Sequence, residues 1–341
     1  MTKSHSSGDS NPPQSGAEQL LEKGDFRLPG HFGPGEHEVL AQKCGVVELV
    51  QNRFLRASGS DTQAFLQGML TRDLRTMAVG EAGETLHLEA NGKTVALLYL
   101  YRESDTDWLI ETPPDMSESI RQTFDKYIIM EDVALMPLDT HYAFSLQGPE
   151  SSDHRQALGE ENPEWIWIPH DRCGHGGFDV LCPVEEAGEA MTRLVDAGLR
   201  PIGLNALNFA RIEALRPWFG QDIAVGENPL VYGHGDRIAR DKGCYLGQET
   251  VAKTRDRGRP PRLLVQVECT DPTADRLPHL PNDVTRDGAS VGQLTSWSIS
   301  PEGTRVLGLA TLKFSSAETD AALLDGAGTE WKVRRVVSYK S

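Results

Sequence analysis

Cysteine is scarce and odd in number: five in 341 residues, at 44, 173, 182, 244 and 269, with no CxxC pair. With no apolar leader near Met1, such a count does not read as a disulfide framework, and a soluble cytoplasmic protein with reduced thiols is expected. No metal is expected either, because cysteines and histidines do not fall at the ligand spacing of a zinc site. No apolar run approaches the roughly 20 residues that span a bilayer. Basic residues are outnumbered 34 to 50, a net charge of −16. That balance works against a membrane partner and against broad adhesion to nucleic acid. GxGxxG and the phosphate-loop lysine motif are both missing, which disfavours a nucleotide enzyme of either kind.

What is present is enough chain for two or three domains. Residues 1–36 are rich in Ser, Gly, Pro and Gln and read as a disordered tail that cannot repay its ordering entropy. From about residue 37, strands and helices alternate irregularly. Ser60-Asp61-Thr62-Gln63 has capping-box spacing ahead of Phe65, Leu66, Met69 and Leu70, an apolar set at helical intervals. Thr85 to Ala90 and Thr94 to Tyr101 read as a hairpin with a type I′ turn at Asn91-Gly92. Helices are predicted over 116–127, 185–197 and 204–215. The order strand, helix, strand, strand, helix is an α+β pattern rather than a doubly wound sheet. Past Gly258, Pro260 and Pro261 the chain turns to short strands at 263–269, 290–295, 306–313 and 331–337, the pattern of a small barrel. The predicted organisation is therefore an α+β region over 37–257, with an inner subdomain at about 140–203, and a C-terminal β-barrel over 258–341. The irregular run 226–236 is long enough to suggest function.

The densest stretch in reactive groups is Lys242-Gly243-Cys244-Tyr245-Leu246-Gly247-Gln248-Glu249. Gly247 suits the N-cap of a helix with Glu249 in its first turn and Lys253 at i+4 from it. The positive end of that helix and the nearby Lys242 would both favour a Cys244 thiolate. Lys253, Arg255, Arg257 and Arg259 make the one dense basic run, a candidate contact for an anionic partner in an otherwise acidic protein.

Lys242-Gly243-Cys244-Tyr245-x-Gly247-Gln248-Glu249, with Lys253 and Gly258 after it, resembles the signature of the YgfZ branch of the folate-binding GcvT/YgfZ family. The resemblance runs from Gly45-Val46-Val47 to the C-terminus, through Phe65-Leu66-Gln67, Leu146-Gln147-Gly148-Pro149, Ala210-Arg211-Ile212-Glu213 and Val291-Gly292-Gln293-Leu294-Thr295-Ser296. It implies two α+β domains and a β-barrel set as a ring around a central channel that holds tetrahydrofolate or a one-carbon derivative. Glu213 then lies where the family bonds the pterin, and Asn91, Arg211 and Gln248 are further candidate folate contacts. Cys244, with Lys242 and Tyr245 beside it, becomes the candidate reactive group.

The family includes the aminomethyltransferase of glycine cleavage, whose acidic residues follow the hairpin turn. Ala96 and Leu97 stand at those positions here, and neither can move a proton. The resemblance thus favours a folate-binding accessory protein for iron–sulfur clients, including tRNA-modifying enzymes. A folate-dependent aminomethyl or one-carbon transferase is the alternative.

Overall fold

The computed structural model describes residues 35–49, 53–233, 235–269 and 277–339. The tail over 1–34 lies outside them, as does the side chain of Arg257 in the basic run. Helix α1 (Glu36–Gln42) leads into β1 (Gly45–Glu48), and β2 (Arg53–Ser58) leads into α2 (Thr62–Met69). The hairpin β3 (Ala82–Leu88) and β4 (Thr94–Arg102) follows, then β5 (Asp107–Thr112), α3 (Ser117–Asp125) and β6 (Ala134–Pro137). These strands make a five-stranded sheet in the order β3-β4-β5-β2-β6. β4 alternates faces along its length, which buries Ala96, Leu98 and Leu100 against Leu66 of α2 and Phe124 of α3. The other face, with Leu97 and Tyr99, is turned toward the middle of the molecule.

Two local expectations fail here for physical reasons. The capping box does not form: Asp61 is the N-cap and its side chain does not bond the helix, because Asp61 Oδ2 accepts the Asp132 amide at 2.8 Å. Ser60 Oγ in turn donates to Asp132 Oδ2 at 2.8 Å, so a connection to the next strand has taken both candidate caps. The hairpin turn is not type I′ either. Only Gly92 has positive φ, at 80°, and its amide donates to Glu89 O at 2.8 Å, a turn ending in one left-handed residue.

The second sheet collects β7 (His141–Gln147), β8 (Ile166–Pro169), β9 (Gly177–Pro183) and β10 (Arg200–Pro201) with the early β1, in the order β10-β1-β7-β9-β8. Helices α4 (Ser151–Glu161) and α5 (Ala187–Asp196) cover it, and Leu158, Ala190 and Leu194 pack on Trp165 and Val180. Helix α6 (Leu204–Glu213) then runs to the barrel. Buried Glu36 of α1 receives the Gly203 amide at the start of α6 at 2.9 Å, an acid placed at a helix N-terminus. The 226–236 run is mostly packing: Leu230, Val231 and Tyr232 are buried, and Thr94 exchanges backbone hydrogen bonds with Gly226 and Glu227.

Helix α7 (Gln248–Arg257) precedes the barrel strands β11 (Arg262–Cys269), β12 (Asn282–Arg286), β13 (Ala289–Ile299), β14 (Val306–Lys313), β15 (Ala322–Asp325) and β16 (Glu330–Val336). They close in the order β11-β14-β13-β12-β15-β16. β12, which is polar apart from Val284, and β15, only four residues long, do not announce themselves by apolar alternation, and it is the closure that requires them. Two α+β sheets and a closed barrel are the fold, and the three meet around a central cavity.

Candidate ligand cavity

The cavity has a volume of about 390 Å³ and draws its wall from all three units. Leu97 and Tyr99 of β4, Glu111 of β5, the segment His170–Arg172 after β8, Trp218 to Gln221 after α6, and Thr295 of β13 all line it. That size, with apolar walls and a few converging polar groups, is that of a small-molecule site.

Its floor is a buried charge cluster. Arg172 Nη2 donates to Glu111 Oε1 and Oε2 at 2.8 and 2.9 Å and to Asp179 Oδ2 at 2.6 Å, while Nε donates to Asp179 Oδ1 at 3.0 Å. His170 Nδ1 lies 2.9 Å from Asp179 Oδ2 and 3.3 Å from Glu111 Oε2. Ser145 Oγ completes Asp179 at 2.6 Å. Tyr99 is stacked on the His170 ring, with centroids 3.5 Å apart and planes 5° from parallel, and its hydroxyl donates to Pro169 O at 2.6 Å. Gln147, from the Leu-Gln-Gly-Pro motif, braces the segment. Its Nε2 donates to His170 O and its Oε1 accepts the Arg172 amide, each at 2.8 Å.

Burial works against the charge of all four ionisable groups in this cluster, and the pairing outweighs it. Asp179 and Glu111 are held below the ordinary carboxylate range by the Arg172 guanidinium. His170 is raised: burial and Arg172 push it down, but Asp179 and Glu111 push it up further. Ligand atoms of Glu111, His170 and Asp179 lie within 4.8 Å of one another, a spacing that a metal ion could use. Arg172 sits on both carboxylates through Nε and Nη2, so the place and the charge of a cation are already supplied.

The opposite wall hangs on Asp222. Its Oδ2 accepts Arg211 Nη1 at 2.7 Å and the Trp218 amide at 2.9 Å, and its Oδ1 accepts the hydroxyls of Thr295, at 2.6 Å, and Ser296. Arg211 also donates to Asn208 Oδ1 and Ser296 Oγ, and its guanidinium lies 4.0 Å from the Trp218 ring centroid. The pair is fully buried and joins α6, the Trp218 loop and β13.

The residues expected from the sequence are placed elsewhere. Arg211 is behind the cavity wall, with its donors on protein groups. Glu213 is on the barrel side, 3.3 Å from Arg305, and does not line the cavity. Asn91 spends its amide on its own turn, donating to Glu89 Oε2 and accepting from the Lys93 amide. Gln248 Oε1 accepts the Tyr245 amide at 3.1 Å. Lys242 Nζ donates to Leu70 O and, at 2.6 Å, to Arg72 O, and burial pushes its pKa down to about 7. Tyr245 packs with Leu88 and Val251, and the Leu246 amide donates to Gly68 O at 2.9 Å. The stretch is thus bonded to the end of α2 and to the hairpin. Cys244 is left exposed, and it is not among the residues lining the cavity.

What sequence reading missed are Glu111, His170, Arg172 and Asp179. Their signal was an acid inside an apolar strand, in Trp108-Leu109-Ile110-Glu111 and in Phe178-Asp179-Val180-Leu181. An unpaired carboxylate at a buried strand position is too costly to be incidental.

Comparison with known proteins gives a coherent answer. Residues 14–167 match the family model described as GCVT N-terminal domain. The chain is 26% identical over 344 residues to an aminomethyltransferase of Halalkalibacterium halodurans, covering 94% of this chain and 93% of that one. It is also 26% identical to an aminomethyltransferase of Bacillus cytotoxicus, over 89% of each chain. The crystal structure of the glycine cleavage system aminomethyltransferase T from Bartonella henselae superposes with a TM-score of 0.79 at 17% identity, over 94% of this chain and 96% of that one. Among the described residues no helix is long and apolar enough to cross a membrane.

Proposed function

From a chain that carries a GCVT N-terminal domain and has the fold of a glycine cleavage aminomethyltransferase, we propose a tetrahydrofolate-binding protein of the YgfZ type. In this reading it does not transfer aminomethyl groups and instead serves the assembly, repair or maintenance of iron–sulfur proteins, tRNA-modifying enzymes among them. Tetrahydrofolate is the ligand of GcvT-type aminomethyltransferases, and the cavity between the two sheets and the barrel is the site for it here.

One observation supports binding over transfer: every carboxylate lining the cavity is already paired with an arginine. Glu111 is on Arg172, Asp171 on Arg216 at 2.8 Å, and Glu84 on Arg237 at 2.7 Å. At the strand position where the aminomethyltransferases carry acids, β4 presents Leu97 to the cavity and buries Ala96 completely. The wall therefore offers stacking faces and neutralised charge to a planar heterocycle, and no unpaired carboxylate to act as a base.

The iron–sulfur part rests on the Lys242–Glu249 stretch and its exposed thiol. The names of the relatives favour the second reading, a folate-dependent aminomethyltransferase.

Titration with tetrahydrofolate tests the cavity. Trp218→Ala is expected to weaken binding about tenfold, the ~1.4 kcal/mol that one aromatic face can represent, with Glu213→Ala unchanged. Equal affinity of wild type and Trp218→Ala would move the ligand elsewhere. Complementation of a strain lacking its YgfZ protein, scored by iron–sulfur-dependent tRNA thiolation, tests the role. Rescue by Cys244→Ser as good as by wild type would remove the thiol from it. A modified amine formed from methylene-tetrahydrofolate would establish the transferase.

A further inference from the structure

The cavity floor bridges the two sheets, and its charge is balanced only while one proton stays in place. Glu111 comes from β5 of the first sheet and Asp179 from β9 of the second. Between them stand Arg172, which keeps its proton at any relevant pH, and His170. Tyr99, which burial holds neutral, covers the imidazole from β4. Glu84 and Asp171 also line the cavity, but each has its own arginine. With both carboxylates ionised, the floor is neutral when His170 is an imidazolium and carries one negative charge when it is not.

One guanidinium cannot neutralise two buried carboxylates, and an excess charge there is expensive. Phe54 and Leu109 of the first sheet pack with Ala143, Ile168 and Leu181 of the second in one apolar cluster. Among the described residues, the polar and stacking links from sheet to sheet at the cavity floor are Arg172 to Glu111, His170 to Glu111, the Tyr99–His170 stack and the Tyr99 hydroxyl on Pro169 O. All but one run through the segment 170–172, and two use the His170 ring itself.

We propose that His170 is a positioning residue whose proton clamps the two α+β sheets together across the cavity floor, so that the cavity is preformed when the imidazole is charged and loosens when it is neutral. The site would then be proton-gated, taking a planar heterocycle best below the imidazole's titration and poorly above it. The gating of a folate rests on the function proposed above, whereas the clamp does not.

The direction in pH follows from linkage. The folded-state pKa of His170 is raised above the ordinary histidine value of 6.5. Stability from the clamp is therefore fully present below about 6.5 and is lost as pH rises through the raised value.

Three measurements on the full chain decide it. Nitrogen chemical shifts of the His170 imidazole should show a protonated ring at pH 7 and a titration above the ordinary histidine range. A ring already neutral at pH 6.5 overturns the proposal, whatever any variant does. The thermal-stability gap between wild type and His170→Gln should be widest near pH 6 and close toward pH 9. A gap independent of pH would mean packing alone. Tetrahydrofolate affinity of the wild type should fall by about fivefold or more over the same interval, the lower end of usual site-to-site coupling, and stay flat in His170→Gln. Glu111→Gln, which balances the floor without the proton, should bind independently of pH as well. Failure of the wild type to bind tetrahydrofolate at any pH would remove the folate reading alone, because imidazole shifts and unfolding report on the clamp without a ligand.

Discussion

Arg211 separates two readings of the same residue, a ligand contact or a buried strut, and they predict different experiments. Its guanidinium is fully buried, as is the Asp222 carboxylate 2.7 Å away. Breaking such a pair by removing one partner costs about 3–5 kcal/mol. For a chain of 341 residues the unfolding entropy is of order 0.7 kcal/mol/K, so the expected fall in Tm is roughly 4–7 °C. The two single variants should not be equal. Arg211→Met leaves Asp222 with the Trp218 amide and the hydroxyls of Thr295 and Ser296 as donors. Asp222→Asn can keep its carbonyl oxygen on Arg211 and the Trp218 amide only by turning its NH₂ onto the Thr295 and Ser296 hydroxyls, which must then accept, and it leaves the cation with no anion. Asp222→Asn should therefore be the worse of the two, and the double variant better than the sum, by a coupling of about 1–3 kcal/mol. Because Asp222 also pins the Trp218 amide, tetrahydrofolate binding should weaken along with stability. Differential scanning calorimetry of the four proteins supplies the cycle. Losses under ~1 °C that simply add, with folate affinity reduced in Arg211→Met, would refute the strut and restore Arg211 as a direct contact.

Other expectations concern the Lys242–Glu249 stretch. Cys244 alone should react with a thiol reagent in the native protein, since Cys44, Cys173, Cys182 and Cys269 are buried and burial pushes the thiols of Cys44 and Cys173 up to about 12; a second fast-reacting thiol in Cys244→Ser would contradict the packing. Gly247→Ala should destabilise by about 1–3 kcal/mol, because φ is 82° and a Cβ would stand 2.6 Å from Glu89 O; a silent substitution in urea unfolding would show the hairpin contact to be loose. Lys242 has a folded pKa near 7 against an ordinary 10.5, so the unfolded chain binds the extra proton between those values and stability should rise with pH across them. A neutral amine still has two hydrogens for Leu70 O and Arg72 O. A stability difference between wild type and Lys242→Met that stays flat over pH 7–10 would show that the side chain keeps its charge.

The elements were legible where local chemistry decides them, as in the apolar period of α2, the alternation of β4 and the glycine before α7. What could not be read was which strand joins which sheet. β1 and β2 are separated by four residues, yet they belong to different sheets, and Val46 pairs with Leu146, a hundred residues on. The site suffered most from this. Glu111, His170, Arg172 and Asp179 come from both sheets, and only their meeting makes each of them explicable. Conversely, Arg211, Asn91 and Gln248 looked functional because they are polar residues in or near recognisable motifs, and they prove to spend their hydrogen bonds on the fold.

Lys242 to Glu249 is the case where recognition and geometry pull apart. Its recognisable residues are used to attach the stretch: Lys242 to the carbonyls after α2, Tyr245 to the core under the hairpin, Gly247 against the turn at Gly92. The hairpin whose turn receives Gly247 continues as β4, and β4 presents Leu97 and Tyr99 to the cavity and Tyr99 to His170. Tyr245 packs with Leu86, Leu88 and Leu97, and Leu97 also lines the cavity, so the stretch that carries the exposed thiol and the ligand site share one strand pair. Direct attack of Cys244 on a folate carbon finds no support in this arrangement, since the thiol is outside the cavity. Communication through the hairpin is the route that the packing offers, and it makes a specific demand. Tetrahydrofolate should change the rate at which a thiol reagent modifies Cys244 in the wild type, and the change should disappear in Gly247→Ala. An identical labelling rate with and without saturating folate would leave the cavity and the thiol as independent features of one fold.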